Sequence, residues 1–146
     1  MTGFGFEKNN EYAHIIDVPL IEREGVVDSN NETISKESLM QAHGCLVPVL
    51  VDFDFNKHVG NAELYYVSGK GLGARIAYVH KDEINGLFPC LMFRASNLRK
   101  KKNYSEYSGK FEVVSIGLCE NNVDVEIEPI NVDKMLIDKQ DIKHLI

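Results

Sequence analysis

A mainly β (α+β) domain is the fold class that three features of the sequence predict. Apolar residues alternate through the middle of the chain, turn residues interrupt them at short intervals, and only two stretches carry helical spacing. The expected architecture is a six- to seven-stranded β-barrel with one short internal helix and a C-terminal amphipathic helix. With 146 residues, 44% of them apolar and 26% charged, the chain has the make-up of one globular domain, residues 1–146. A domain of this size buries enough surface to hold a core without a disulfide or a metal.

Ala13 to Ile21 reads as the first strand and Gly25 to Glu32 as a polar loop. Ser35 is an N-cap with Glu37 in the first turn, and Gly44 ends a helix of about two turns whose Leu39 and Met40 face inward. Leu46 to Phe53 is almost continuously apolar, as in a strand buried on both faces. Ala62, Leu64 and Tyr66 share one side of the next strand, and Ser68 to Gly71 turns it back into Leu72 to His80. Asn85-Gly86 signals a turn before the strand Leu87 to Ser96. A basic loop follows, then Phe111 to Cys119, a turn at Asn121-Asn122, and the alternation Val123, Val125, Ile127 that Pro129 stops. Val132, Met135, Leu136, Ile142, Leu145 and Ile146 have near-helical spacing, which predicts an amphipathic helix over 131–146.

The formal net charge is −6, which argues against a general nucleic-acid binder. The average conceals two regions of opposite sign: Arg94 to Lys110 balances to +5 and Glu120 to Ile146 to −4. Arg99, Lys100, Lys101 and Lys102 either form a solvated loop or meet an acidic partner or nucleic acid, since clustered cations steer anions. Tyr104 and Tyr107 are the aromatic residues beside them. Cys45, Cys90 and Cys119 cannot all pair within one chain and form no CxxC, so a reducing compartment is expected and a zinc site is not. The longest apolar run, Leu46 to Val51, contains Pro48 and is too short to span a bilayer. No secretory signal is visible at the N-terminus, so the expectation is a soluble, intracellular chain.

Few residues suggest chemistry. Asp52, Asp54, Asn56 and Glu63 imitate a calcium loop, but Lys57 stands where the sharp turn needs glycine and the flanks read as strands. Gly69-Lys-Gly-Leu-Gly73 joins two strands and lacks the helix that would hold a phosphate. No metal and no cofactor is expected. Ser115 and Cys90 lie in apolar strands, and His14, His43, His58, His80 and His144 show no i, i+4 pair, so a nucleophile and base must meet in space if they meet at all.

One ordered set of segments resembles a known family. Glu24-Gly-Val-Val-Asp-Ser-Asn-Asn-Glu-Thr-Ile-Ser35, the short helix, Val47-Pro-Val-Leu-Val-Asp-Phe-Asp54, His58-Val-Gly-Asn-Ala62, Phe111-Glu-Val-Val-Ser-Ile-Gly117 and Asn121-Asn-Val-Asp-Val125 together resemble phage prohead maturation proteases of the HK97 type, distant relatives of herpesvirus assemblins. The resemblance covers roughly residues 13–130. It implies a closed or nearly closed β-barrel with flanking helices, serine proteolysis of scaffold and capsid proteins, and a place in a virion or the host cytoplasm. Matching the family's motif puts Phe53 in the place of the catalytic histidine, and phenylalanine can take no proton from a serine. Cys90, Leu91, Met92 and Phe93 occupy the nucleophile's region with no serine among them. His58 lies five strand residues from Phe53, about 16 Å along and on the opposite face.

The expectation is therefore a noncatalytic phage virion or capsid-assembly protein, a decoration, scaffold or completion module that contacts capsid proteins and forms homo-oligomers. An active protease using Cys90 or Ser115 with His58 or His43 is the competing expectation. A nucleic-acid-binding barrel using Arg99 to Lys102 is a third.

Overall fold

A computed structural model describes residues 14–21, 23–78, 80–121 and 127–137. Among the described residues seven strands form one sheet curled into a half-barrel. They are β1 (His14–Ile21), β2 (Glu32–Ile34), β3 (Leu46–Val51), β4 (His58–Tyr66), β5 (Leu72–Tyr78), β6 (Phe88–Lys100) and β7 (Ser105–Cys119). Helix α1 (Lys36–Gln41) separates β2 from β3, and a single helical turn, α2 (Val132–Met135), follows the last strand. The mainly β barrel-like class read from alternation is the observed one.

The order β1-β5-β4-β3 is antiparallel throughout, and β3 then runs parallel to the C-terminal part of β7. The N-terminal part of β7 pairs in parallel with β2 on that same side, while β6 follows nearly the whole of β7 on the other. Ile16, Ile76, Ala62 and Val47 form one row across four strands, and Val18, Ala74 and Leu64 form the next; none is more than 3% exposed. Val49, Ile116 and Leu118 continue this inner face onto β7. Alternation thus buries one side chain in two along each strand, which is what fixes register.

Between its ladders with β2 and β3, β7 leaves main-chain groups at Gly109 and Phe111 without a strand partner. The Gln41 side-chain amide takes their place: its Nε2 donates to Gly109 O at 2.8 Å and its Oε1 accepts from Phe111 N at 3.0 Å. Ser35 caps α1 as expected, accepting from Ser38 N at 3.2 Å. Leu39 is buried, but Met40 is half exposed and does not face inward.

Several boundaries differ from expectation. Glu32 belongs to a strand, because β7 supplies a distant ladder for a segment that reads locally as loop. The strand Leu46 to Phe53 stops at Val51, since Asp52 and Phe53 take left-handed conformations with φ of 51° and 58°. His80 lies beyond β5, at the start of a 3-10 turn. The basic segment is not a loop: Arg99 and Lys100 end β6, paired with Glu106 and Ser105, and Lys101 and Lys102 make the turn. Charges are tolerated in this strand end because residues 96–104 are exposed. Of the helix expected over 131–146 the described residues hold one turn, after which Leu136 is extended and bridges to Ile16, and residues 138–146 lie outside the described ones. Ala13, Asn122, Val123, Val125, Ile142, His144, Leu145 and Ile146 lie outside the described residues.

Candidate functional site

The two ends of the curled sheet are β1 and β6, and among the described residues no ladder joins them. Along this seam lies a cavity of about 470 Å³. Leu20 and Ile21 of β1 line one side and Pro89 to Phe93 with Ala95 line the other, while Val26 and Ile34 close it from the connecting segment. Phe93 packs edge-on to Tyr107 at 4.9 Å between ring centroids and tilted to Phe111 at 5.0 Å, which makes one wall aromatic.

Phe53 stands at one end of the seam and Asp28 with Glu32 at the other. Asp28 Oδ1 accepts from the amides of Asn30 and Glu32 at 2.8 and 3.0 Å, a local turn that holds both carboxylates at the rim. The Tyr107 hydroxyl has its pKa raised by burial first and by the Glu32 carboxylate beside it second.

The Phe53 ring lies directly against Gly117, so closely that a Cβ there would strike its carbons. Cys90, which pairs with Gly117, lines the cavity together with Phe53. Among the described residues no histidine lines this cavity. His58 pairs with Leu50, which pairs with Gly117, which pairs with Cys90, so His58 and Cys90 are three strands apart in one row. At about 4.8 Å per strand that is about 14 Å, far beyond hydrogen-bond reach.

His58 instead bonds Asn61 Oδ1 through Nε2 at 2.9 Å, and His43 Nδ1 accepts from the Tyr66 amide at 2.9 Å. Ser115 is fully buried with no partner for its hydroxyl. The structure therefore brings none of His43, His58, Cys90 and Ser115 together as a nucleophile and base. Cys90 does approach Cys119, diagonally across the β6-β7 ladder, where Cys90 stands opposite Gly117 and Cys119 opposite Phe88. The Cys119 thiol is pushed up to about 11, first by burial and then by Cys90, which disfavours the reactive thiolate.

The acidic positions of the imitated calcium loop serve the backbone: Asp54 Oδ1 accepts from Asn56 N at 2.9 Å. Among the described residues no three His, Cys, Asp or Glu side chains gather as a metal site requires. Nor is any described helix long and apolar enough to cross a membrane. Arg99, Lys100, Lys101 and Lys102 are all exposed at the end of the β6-β7 hairpin, where Lys100 shares a row with Glu32 of the cavity rim through Ser105. What this defines is a half-barrel with an apolar seam, an acidic rim and a basic hairpin end beside that rim. Set against known proteins, the chain matches no family model, no curated protein and no solved structure.

Proposed function

We propose that the protein is a noncatalytic phage virion or capsid-assembly protein, which uses a barrel like that of the prohead proteases as a partner-binding module. One observation carries the reading. Where the resemblance to those proteases places the catalytic histidine, the Phe53 ring covers Gly117 and helps line an apolar seam. Apolar pockets with a few polar groups at the rim bind partners or ligands; general acid-base chemistry needs titratable groups in reach of one another. The partners are capsid or other virion proteins, and the site of action is the virion or the host cytoplasm.

The test is to mix the purified protein with the capsid and scaffold proteins of its own virion, then sediment the assemblies and inspect them for cleavage. Co-sedimentation without cleavage, and no labelling by serine- or cysteine-directed probes that depends on His58, is the expected result. Cleavage lost on Cys90→Ala or Ser115→Ala would install the displaced-site protease instead. A second reading, nucleic-acid binding, has in its favour the four exposed cations at the hairpin end with Tyr104 beside them. Labelled DNA whose binding to the protein weakens steeply with salt would support it.

A further inference from the structure

We propose that Cys90 and Cys119 form a thiol-disulfide switch. A low-molecular-weight disulfide of the glutathione class oxidises the pair, and the cross-link pins the adjoining ends of β6 and β7 beside Phe53. The inference goes beyond the reading of the protein as a partner-binding module and does not depend on it.

The register of the β6-β7 ladder brings the two thiols together. Cys90 stands opposite Gly117 and Cys119 opposite Phe88, so the cysteines are diagonal neighbours. Side chains two apart in a strand share a face, and Cys90, opposite Gly117, projects on the same face as Cys119. Its sulfur leans along the diagonal: Sγ is 3.8 Å from the carbonyl of Phe88, the residue opposite Cys119, and 4.0 Å from that of Asn121, two residues beyond Cys119. The two thiols are in hydrogen-bond contact. The Phe53 ring lies against Gly117 on that face, beside both.

Diagonal neighbours hold their Cα atoms about 7–8 Å apart, and a disulfide is usually spanned by no more than about 6.8 Å. The pair thus rests as two thiols and closes when the strands draw together by about 1 Å. Phe88 begins β6 and Cys119 ends β7, so they form the last row of the ladder, where such an approach disturbs the fewest neighbours. A bond made this way is readily reduced, as befits a transient disulfide in a reducing compartment. Cys45 is no competitor. It lies five residues before Leu50, which pairs with Gly117, and so about 16 Å away along the chain.

Access sets the order of events. Cys90 lines the cavity and is part-exposed, so a small oxidant meets it first. Its sulfur attacks the oxidant's S–S bond, forming a mixed disulfide and releasing one thiol that takes the Cys90 proton. Cys119, kept protonated at neutral pH by burial, then attacks Cys90 Sγ, and its proton goes to the second departing thiol. The protein loses two electrons and two protons, and the oxidant becomes two thiols.

The reduced full-length protein is equilibrated with graded mixtures of oxidised and reduced glutathione, blocked with N-ethylmaleimide and mapped by mass spectrometry without reduction. The expected product is a monomer joined through Cys90 and Cys119. It should exceed any product joined through Cys45 by about tenfold or more, because the distance to Cys45 forbids a bond without unfolding. Excess reduced glutathione should restore both thiols, and in urea all three pairings should appear. Cys119→Ser should stop at a glutathione adduct on Cys90, with Cys119→Ala as the second variant should the first not fold. Amide exchange at Phe88, Cys90 and residues 117–119 should slow in the cross-linked protein.

Absence of the Cys90-Cys119 product at every glutathione ratio overturns the proposal. So do Cys45 products in equal amount from the folded protein, or a disulfide formed only between two copies. Unchanged amide exchange in the cross-linked monomer overturns it as well, because the bond would then pin nothing.

Discussion

Replacing Gly117 with alanine adds one methyl group at the point where the Phe53 ring meets β7. In an ordinary strand this exchange stabilises by about 0.5–1 kcal/mol, because glycine loses the most backbone freedom on folding. Gly117 is not among the glycines with positive φ, so its backbone sets no penalty. The new Cβ overlaps the ring, however, and the ring must leave its seat or the strand must shift. Overpacking of this kind costs about 1–3 kcal/mol, which exceeds the entropic gain. A net destabilisation of about 1–2 kcal/mol is expected, and at about 2–4 °C per kcal/mol for a domain of this size the melting temperature falls by about 2–8 °C.

The control is the same exchange in a Phe53→Ala background, where the methyl has room and the ordinary strand effect should return. Thermal and urea unfolding of the four proteins closes a double-mutant cycle with an expected coupling of about 1–3 kcal/mol. If Gly117→Ala is neutral or stabilising while Phe53 is present, the ring does not sit against Gly117, and the reasoning fails.

Ser115 is fully buried with its hydroxyl unpartnered, so Ser115→Ala should be neutral or stabilise by up to about 1 kcal/mol, because a buried unsatisfied polar group is removed; a loss above 1 kcal/mol in urea unfolding would contradict the geometry. The Cys119 thiol is pushed from 9.0 up to about 11, and since the unfolded chain then ionises first, stability is full below pH 9 and is lost as pH rises from about 9 to about 11. Cys119→Ser should flatten that part of the profile, and an unchanged profile would count against the burial. Changing Arg99, Lys100, Lys101 and Lys102 together to Ser should leave stability within about 0.5 kcal/mol, as exposed positions do. It should also weaken partner binding more at low than at high salt, and equal loss at both would deny the hairpin an electrostatic role.

Much of the fold is legible in the alternation of apolar residues. Val47 and Val49, Ala62 and Leu64, and Ala74 and Ile76 announce their buried faces without help from neighbours. What is illegible depends on partners distant in the chain. The three residues of β2 are a strand only because residues 105–107 offer a ladder. The basic end of β6 contradicts strand composition, and is allowed because the hairpin end has no buried face to satisfy. C-terminal apolar spacing looks helical through Leu136, but Leu136 bridges to Ile16 of β1 and ends the helix after one turn.

The seam was hidden for the same reason. Leu20, Val26, Ile34, Phe53 and Leu91 are apolar residues in five separate segments, and only topology collects them around one cavity. Phe53 is singled out in the sequence only as the residue the resemblance sets where a histidine is expected; its place in the cavity wall is read from the structure.

Amide hydrogen exchange on the protein bound to its virion partner tests the central claim most directly. The account predicts that amides around the cavity, in residues 25–34 and 88–95, gain protection in the complex while those at His58 and Ser115 see no change and no substrate is cut. A stable complex without added protection around the cavity, or cleavage of the partner, would contradict it.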